Sequence, residues 1–275
     1  MSNTVPYTIT NKISAIFGKF ANTRFPSLIQ NIVNIGYVKL MGLDMREFQS
    51  PSSYPTLNKL FIRALSTPRT FDNSDASFIS PCDSLISDHG VIQNETAFQI
   101  KGMQYSIRGL LNKIHPGHID DLEGGNYMNF YLSPKDYHRY HIPIDCKISR
   151  LVHVPGKLYP VNMTYLNKQQ DLFIENERAI VECIDVTGRY FYLVFVGALN
   201  VGQIVLHFEP SLKTNLPNEV KVYDYDNVNY KKGDELGMFK MGSTIAALFP
   251  AGMLDPEVSV GEDVKFAQTI AEVNY

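Results

Sequence analysis

The chain has 275 residues, of which 44% are hydrophobic and 19% are charged, with a formal net charge of −3; this composition allows a sizeable core and excludes global disorder. Its three cysteines lack the paired spacing of a disulfide scaffold or zinc ribbon, so we expect a reducing compartment. We expect no signal peptide, because the N-terminus "MSNTVPYTITNK" has no basic segment followed by an apolar one. The longest apolar run, 191–199, is too short to span a bilayer, and the sequence has no nucleic-acid motif.

The first 65 residues are predicted to be helical. Apolar residues recur at helical spacing over 13–20 and 28–35, with a break near Pro26. A third segment places Leu57, Leu60, Phe61 and Leu65 on one stripe. The sequence therefore predicts an N-terminal region of amphipathic helices, residues 1–65.

Charge is distributed unevenly along the chain. Residues 1–70 hold eight Lys or Arg and two acidic residues, whereas the rest holds 17 basic and 26 acidic residues. Two interpretations of the helices stay open. Their apolar faces cover a core, as amphipathic helices most often do, or they lie in the interface of an anionic membrane.

Short strands separated by turns are predicted from about residue 70. The segment 180–210 has the pattern of two or three strands, with "DVTG" as a hairpin turn. The stretches "LISDHGVIQN", "FYLSP" and "SRLVHVPGKLYPV" add more strands. Regular βα alternation is absent from the sequence. We therefore expect an α+β fold in which residues 66–275 form a β-rich, mostly antiparallel catalytic body.

The stretch "YLSPKDYHRYHIP", 131–143, contains a histidine pair. Ser133 is a candidate helix cap and Pro143 a helix stop, so a short helix is predicted with His138 and His141 on one face. Paired imidazoles suit proton transfer near neutral pH. Two alternatives remain: surface histidines on a loop, and a metal site.

The metal alternative rests on spacing. "HPGH" (His115, His118) and "HRYH" (His138, His141) are both H-x-x-H, but neither is the H-E-x-x-H of zinc proteases. We therefore predict no metal.

Two further polar residues are candidates for chemistry. Asp83, in "SPCDS", is either a turn residue or the group that orients an imidazole in a triad. Ser243, in "FKMGSTIAALF", is either a helix cap or a nucleophile beside the carbonyl of Gly242, which has no side chain to block close approach.

Together these stretches resemble the phosphatidylserine decarboxylase family of pyruvoyl-dependent enzymes. "FKMGSTIAALF" is similar to the family's L-G-S-T self-cleavage motif, "YLSPKDYHRYHIP" to its histidine motif and "SPCDS" to its S-P-x-D-G segment. "VNMTYL…FIENERAI" and "VFVGALNVGQI" resemble further blocks in the same order. Met241 stands for the usual leucine, and Ser84 for the usual glycine after the aspartate.

The resemblance implies self-cleavage between Gly242 and Ser243, with His141 as the base and Asp83 orienting it. Ser243 attacks the Gly242 carbonyl to give an ester, and elimination and hydrolysis then leave a pyruvoyl group at residue 243. This covalent cofactor forms a Schiff base with phosphatidylserine and releases CO2 to give phosphatidylethanolamine. His138 is assigned the later protonation.

The resemblance also implies a zymogen that matures into a β chain of residues 1–242 and an α chain of residues 243–275. It implies phosphatidylserine and an anionic membrane surface as partners, and it allows a homodimer. The expected location is peripheral, on the cytoplasmic face of the cell membrane. A non-enzymatic lipid-binding homologue and a histidine–metal hydrolase are the alternatives.

Overall fold

The structure, a computed structural model, describes residues 9–100, 103–114, 116–161, 163–199, 203–216, 219–240 and 243–275. His115, Met241 and Gly242, which figure in the predictions above, lie outside the described residues.

The N-terminal region is helical, as predicted. Helix α1 is Ile9–Asn22 and α2 is Ser27–Met41, so the break near Pro26 is confirmed. Helix α2 ends at Gly42, whose positive φ of 68° suits a residue without a side chain and whose N–H bonds to the Val38 carbonyl. After a 3-10 turn at Pro51–Ser53, α3 is Leu57–Phe61, capped by the Thr56 hydroxyl, so Leu65 lies beyond this short helix.

These helices have one packed face and one exposed face. Residues of α1–α3 form a small cluster that includes Ala21, Tyr37, Leu57, Leu60 and Phe61. The opposite face exposes a row of large apolar side chains, among them Ile16, Leu28, Ile29, Ile32, Ile35 and Leu40. Core packing therefore accounts for one face, and no described residue covers the exposed side chains of the other.

The rest of the chain is built mainly from strands. They are β1 Ser77–Ile79, β2 Ser84–Val91, β3 Thr96–Ile100, β4 Met103–Ser106, β5 Asn126–Leu132, β6 Arg139–His141, β7 Cys146–Val154, β8 Arg178–Asp185, β9 Tyr190–Val196, β10 Ile204–Leu206, β11 Lys221–Tyr230, β12 Glu235–Phe239, β13 Ser243–Phe249, β14 Leu254–Pro256, β15 Asp263–Val264 and β16 Thr269–Val273. Short helices α4 Ile107–Leu111, α5 Pro116–Asp120, α6 Met163–Leu166 and α7 Leu172–Glu175 lie between strands. The expected β-rich α+β fold is confirmed, and no described helix is long and apolar enough to cross a membrane.

The strands form one large sheet and three small ones. The order in the large sheet is β11-β7-β8-β9-β13-β5-β2-β15, and β10-β12-β6 and β1-β16-β14 form three-stranded sheets. Strands β3 and β4 form a two-stranded sheet, and every pairing of named strands is antiparallel. The predicted "DVTG" hairpin is confirmed: Asp185–Gly188 turn the chain between β8 and β9.

Strand β13 lies in the interior of the large sheet, paired with β5 on one side and β9 on the other. All seven of its residues are buried. Alternate side chains enter two cores: Ile245, Ala247 and Phe249 join one cluster, whereas Ala246 and Leu248 join the other. The first cluster also takes in Tyr140, Leu206 and Phe239 of the β10-β12-β6 sheet, so that sheet covers this face.

Candidate active site

Two connections between the same pair of sheets bring the histidine segment to the predicted cleavage site. The chain leaves the large sheet at the end of β5 and enters β6, and it returns from β12 into β13. Ser243, the first residue of β13, is paired with Leu132, the last residue of β5. On the other sheet, the Phe239 N–H donates to the His138 carbonyl at 2.9 Å. Phe239 and Ser243 lie on either side of the predicted cleavage site, and each pairs with a residue at one end of segment 132–138.

Ser243 is fully buried, and its hydroxyl has no hydrogen-bond partner among the residues that the structure describes. Because side chains alternate along a strand, Ser243 shares the face of Ile245 and points towards the layer that contains β6. Thr244 also has a buried, unpartnered hydroxyl, but it lies on the opposite face with Ala246. The Ser243 residue begins a strand, so its interpretation as the cap of a helix was wrong.

The short helix predicted over the histidine segment was also wrong. The Asp136 carboxylate does reach back to Ser133, accepting from its N–H at 2.7 Å and its hydroxyl at 2.8 Å. These contacts close a single turn, after which β6 pairs with β12. Pairing with a distant strand overrides the local helix signal. His138 and His141 therefore do not share a helical face.

His138 is fully buried against the N-terminal region, with its ring 4.0 Å from that of Phe61. Its Nδ1 lies 2.9 Å from the Asp136 carbonyl oxygen. Since a carbonyl only accepts, Nδ1 carries the proton and Nε2 carries the lone pair. In the described part of the chain, that Nε2 is buried without a partner. Burial lowers the pKa of His138 to about 3, so the ring is neutral and able to accept a proton.

His141 has both ring nitrogens engaged. Its Nδ1–H donates to the Gly233 carbonyl at 2.9 Å, and its Nε2 accepts from the Tyr137 hydroxyl at 3.1 Å. The ring stacks on Phe266 with centroids 3.6 Å apart. Burial, the largest cause, lowers the pKa of His141 to about 4. This imidazole is therefore neutral as well, and tightly oriented.

Asp83 reaches the same region but is held by other partners. Its carboxylate pairs with the Arg69 guanidinium at 2.5 and 3.0 Å and accepts the Phe266 N–H at 2.8 Å. Asp83 therefore does not accept a hydrogen bond from His141, whose ring nitrogens contact Gly233 and Tyr137; the two residues meet through Phe266 instead. Ser84, which stands for the family's glycine, is buried at the start of β2 without disturbing these contacts.

Among the described residues, the histidines of the two H-x-x-H motifs have different partners. His118 lies against Glu182, 3.2 Å from its Nδ1, and stacks on Tyr190. The part of the chain that the structure describes has no group of three or more His, Cys, Asp or Glu side chains that could hold a metal ion.

Sequence reasoning missed several side chains around the histidines. Tyr137 and Phe266 fix His141, Arg69 holds Asp83, and Arg63 lies beneath the histidine turn. In the sequence, Arg63 and Arg69 were counted only among the basic residues of segment 1–70. Tyr137 adjoins His138 in the histidine motif, which is the one signal that could have marked it.

The two buried histidines should make folding stability sensitive to acid. Below pH 6.5 the unfolded chain binds protons on His138 and His141 that the folded chain excludes until about pH 3 and 4. The free energy of unfolding should therefore fall as the pH drops from 6.5 towards 4. Asp136 opposes this trend, because burial raises its pKa to about 6 and the folded chain takes up that proton first.

His138→Gln isolates one histidine's share of this dependence. Between pH 6 and 4 it should reduce the pH slope of the unfolding free energy by about 1.4 kcal/mol per pH unit, the linkage value for one proton. Urea denaturation at several pH values, in a Ser243→Ala background to keep one covalent species, measures it. His207→Gln, at an exposed histidine, is the matched control. An unchanged slope in His138→Gln would contradict the assignment.

Comparison with known sequences finds one matching family model and relatives that bear the same family name. The sequence model of the phosphatidylserine decarboxylase family matches residues 57–272. A phosphatidylserine decarboxylase proenzyme of Campylobacter jejuni is 42% identical over 94% of this chain and 97% of the relative. One from Helicobacter pylori strain J99 is 41% identical over 96% and 97%, and one from Nitrosospira multiformis is 34% identical over 94% and 91%.

Proposed function

Because the chain belongs to the phosphatidylserine decarboxylase family, we propose that it converts phosphatidylserine to phosphatidylethanolamine and CO2. The reaction breaks the bond from the serine Cα to the carboxylate and replaces it with a bond to hydrogen. The observation that carries the proposal is the buried, unpartnered hydroxyl of Ser243 beside the histidine segment. Lipid mass spectrometry of vesicles incubated with the purified protein tests it, and a folded, cleaved protein that forms no phosphatidylethanolamine would contradict it.

The first step is self-cleavage. The Ser243 hydroxyl loses its proton to a base and attacks the Gly242 carbonyl carbon, and the peptide nitrogen leaves as an amine, which gives an ester. Loss of the Ser243 α-proton then breaks the Cβ–O bond and frees the Gly242 carboxylate. Water hydrolyses the resulting dehydroalanine to a pyruvoyl group and ammonia. An unpaired buried hydroxyl suits attack because no hydrogen bond must first be broken.

The environment of Ser243 fits a small carbonyl group. Residue 243 is fully buried, and both its hydroxyl and His138 Nε2 are buried polar atoms without a hydrogen-bond partner among the described residues. A pyruvoyl group at this position supplies a ketone that condenses with the substrate amine and takes up the electrons released with CO2. The protein would orient the serine headgroup, exclude water and deliver the proton.

The roles of the acid–base residues follow the family resemblance. His141 takes the Ser243 proton. Burial lowers the pKa of this imidazole, and the negative charge of Asp83 partly offsets that lowering. His138 Nε2 would take up a proton that the substrate ammonium releases on condensation, and would deliver it to the substrate carbon after CO2 leaves. Its buried position beside Phe61 keeps this proton from exchanging with bulk water.

Residues 1–65 are proposed to carry the protein to an anionic membrane, with residues 66–275 as the catalytic domain. Leu28 and Ile32 are 80% and 72% exposed on α2. An apolar face of this kind in a strongly basic segment suits the interface of an anionic bilayer. The substrate is itself an anionic lipid, which makes the cytoplasmic face of the cell membrane the proposed location.

Leu28→Glu combined with Ile32→Glu should weaken membrane binding at least about tenfold, because each apolar side chain contributes roughly 1.5–3 kcal/mol when fully buried. Flotation with vesicles that contain phosphatidylglycerol measures it at low and high salt. Wild-type binding should weaken with salt without vanishing, since charge alone is screened.

The matched control is Val186→Glu with Val260→Glu, which adds the same charge at exposed valines of the catalytic body. Both double variants should self-cleave normally. If the Leu28/Ile32 variant floats as well as the control pair, the exposed face of α2 is not a membrane anchor.

A further inference from the structure

Arg63 is a buried arginine whose hydrogen bonds are incomplete. It is 2% exposed, and its Nη2 donates to the Lys135 carbonyl at 2.7 Å. Its Nε and Nη1 have no acceptor, and the face of the guanidinium lies 4.4 Å from the Phe48 ring centroid. The charge is therefore buried with donors that nothing in the described chain satisfies.

Arg178 provides an internal comparison, because it is equally buried. All three of its guanidinium nitrogens donate to backbone carbonyls, those of Gly109, Leu110, Ile174 and Asn176. A buried arginine that serves only the fold is satisfied in this way. An unsatisfied buried donor costs roughly 1–3 kcal/mol, and more when charged, so the incomplete set at Arg63 indicates a missing acceptor.

Arg63 lines a cavity of about 300 Å³ between the N-terminal region and the catalytic body. Lys135 and Tyr137 of the histidine segment line it as well. Its carboxylates are those of Asp44, Glu47, Asp83, Asp136 and Asp263. Asp44 pairs with Arg46, and Glu47 and Asp83 both pair with Arg69. Asp136 accepts a hydrogen bond from Ser133, and Asp263 is exposed. None of them neutralises Arg63 by direct contact.

Arg63 and its chain neighbours contact His138 and the residues around it. The carbonyl of its neighbour Ile62 accepts a hydrogen bond from Arg139 Nε at 3.1 Å, and Arg63 itself donates to the Lys135 carbonyl. The chain after α3 is therefore hydrogen-bonded to residues on both sides of His138. Phe61, two residues before Arg63, contacts the His138 ring. An anion on Arg63 would therefore lie next to the proposed proton donor.

Building on the proposed function, we propose that Arg63 binds the phosphodiester of the phospholipid substrate. A guanidinium offers several N–H donors in a plane, an arrangement that suits a phosphate. The serine carboxylate is the less suitable partner, because its charge disappears as CO2 leaves and binding it would stabilise the ground state over the transition state. The phosphodiester keeps its charge throughout.

A binding experiment on the uncleaved protein tests the proposal without relying on catalysis. In the Ser243→Ala chain, titration calorimetry with glycerophosphoethanolamine should show binding, whereas ethanolamine, which lacks the phosphodiester, should bind at least about tenfold more weakly. Arg63→Met should lose about tenfold to hundredfold in affinity for glycerophosphoethanolamine, and Arg63→Lys should keep part of it because it retains the charge. Inorganic phosphate is the third probe.

Thermal unfolding without a ligand separates binding from a structural role. Arg63→Met should unfold at a temperature no lower than its parent, because an unsatisfied buried charge is replaced by an apolar chain of similar length. Arg178→Met, the matched control, should unfold at a clearly lower temperature. If Arg63→Met fails to fold, the arginine is structural and the proposal is overturned.

In the cleaved enzyme, Arg63→Met should raise KM for phosphatidylserine about tenfold or more and change kcat much less. A fall in kcat at unchanged KM would overturn the proposal, as would equal affinity of the parent and Arg63→Met chains for glycerophosphoethanolamine. Inorganic phosphate that binds as tightly as glycerophosphoethanolamine would assign a free-anion site instead. If the wild-type chain never self-cleaves while the Ser243→Ala chain still binds glycerophosphoethanolamine through Arg63, the proposed function is refuted and this inference stands.

Discussion

Wild-type protein should resolve into residues 1–242 and residues 243–275 on denaturing mass spectrometry, whereas Ser243→Ala should remain one chain and form no phosphatidylethanolamine. The alanine has no oxygen with which to attack the Gly242 carbonyl. The small fragment from the wild type should resist sequential degradation from its N-terminus, because a pyruvoyl group has no free amine. Ser243→Ala should remain folded, since it loses a hydroxyl that has no hydrogen bond to lose.

Thr244→Val is the matched control for this experiment. It also removes a buried hydroxyl without a partner, but on the opposite face of β13. This variant should cleave and decarboxylate. A folded wild-type chain that stays whole after long incubation would refute self-cleavage and favour a lipid-binding homologue. Cleavage of Ser243→Ala would assign the reaction to another residue, and loss of activity on chelation would favour the metal hydrolase.

His141→Ala and Asp83→Asn should each slow self-cleavage by about 10²-fold or more, the lower range for loss of general-base catalysis. His138→Ala should cleave at close to the wild-type rate and then form phosphatidylethanolamine poorly, because the substrate carbon lacks its proton donor. The time course of fragment formation and the rate of lipid conversion are measured separately on the same preparations.

Asp83 also holds Arg69, so its variant needs a control for structural damage. Glu47→Gln serves this purpose, because Glu47 is the other carboxylate on the same guanidinium, at 2.8 and 2.9 Å. It should leave cleavage intact. If His141→Ala cleaves normally and His138→Ala does not, the base is His138, whose Nε2 is the unengaged imidazole nitrogen at the site.

The sequence was sufficient for elements whose periodicity is local. The apolar spacing before and after Pro26 predicted α1 and α2, and "DVTG" predicted the turn between β8 and β9. It failed where the partner is distant in sequence. Ser133, Pro134 and Asp136 carry the local chemistry of a helix start, but residues 139–141 pair with β12, nearly 100 positions further along the chain.

The candidate site shows the same division. Ser243, His138, His141 and Asp83 were selected from motifs, and their roles stay predictions. Their contacts could not be derived in full: Tyr137 lies in the histidine motif, but Gly233 and Phe266 are far from it in sequence. Arg63 was hidden for another reason. Its significance is an unmet hydrogen-bonding capacity, a property of the packed interior that a list of charges does not contain.

The central position of β13 determines how the mature protein would be held together. After cleavage, residues 243–275 would still supply an interior strand of the large sheet, together with β14, β15 and β16. Separation of the two chains would remove the strand between β5 and β9 and open both cores, so dissociation and unfolding become one event. Refolding would then be bimolecular, and the apparent melting temperature of the mature form would depend on protein concentration, unlike that of its precursor.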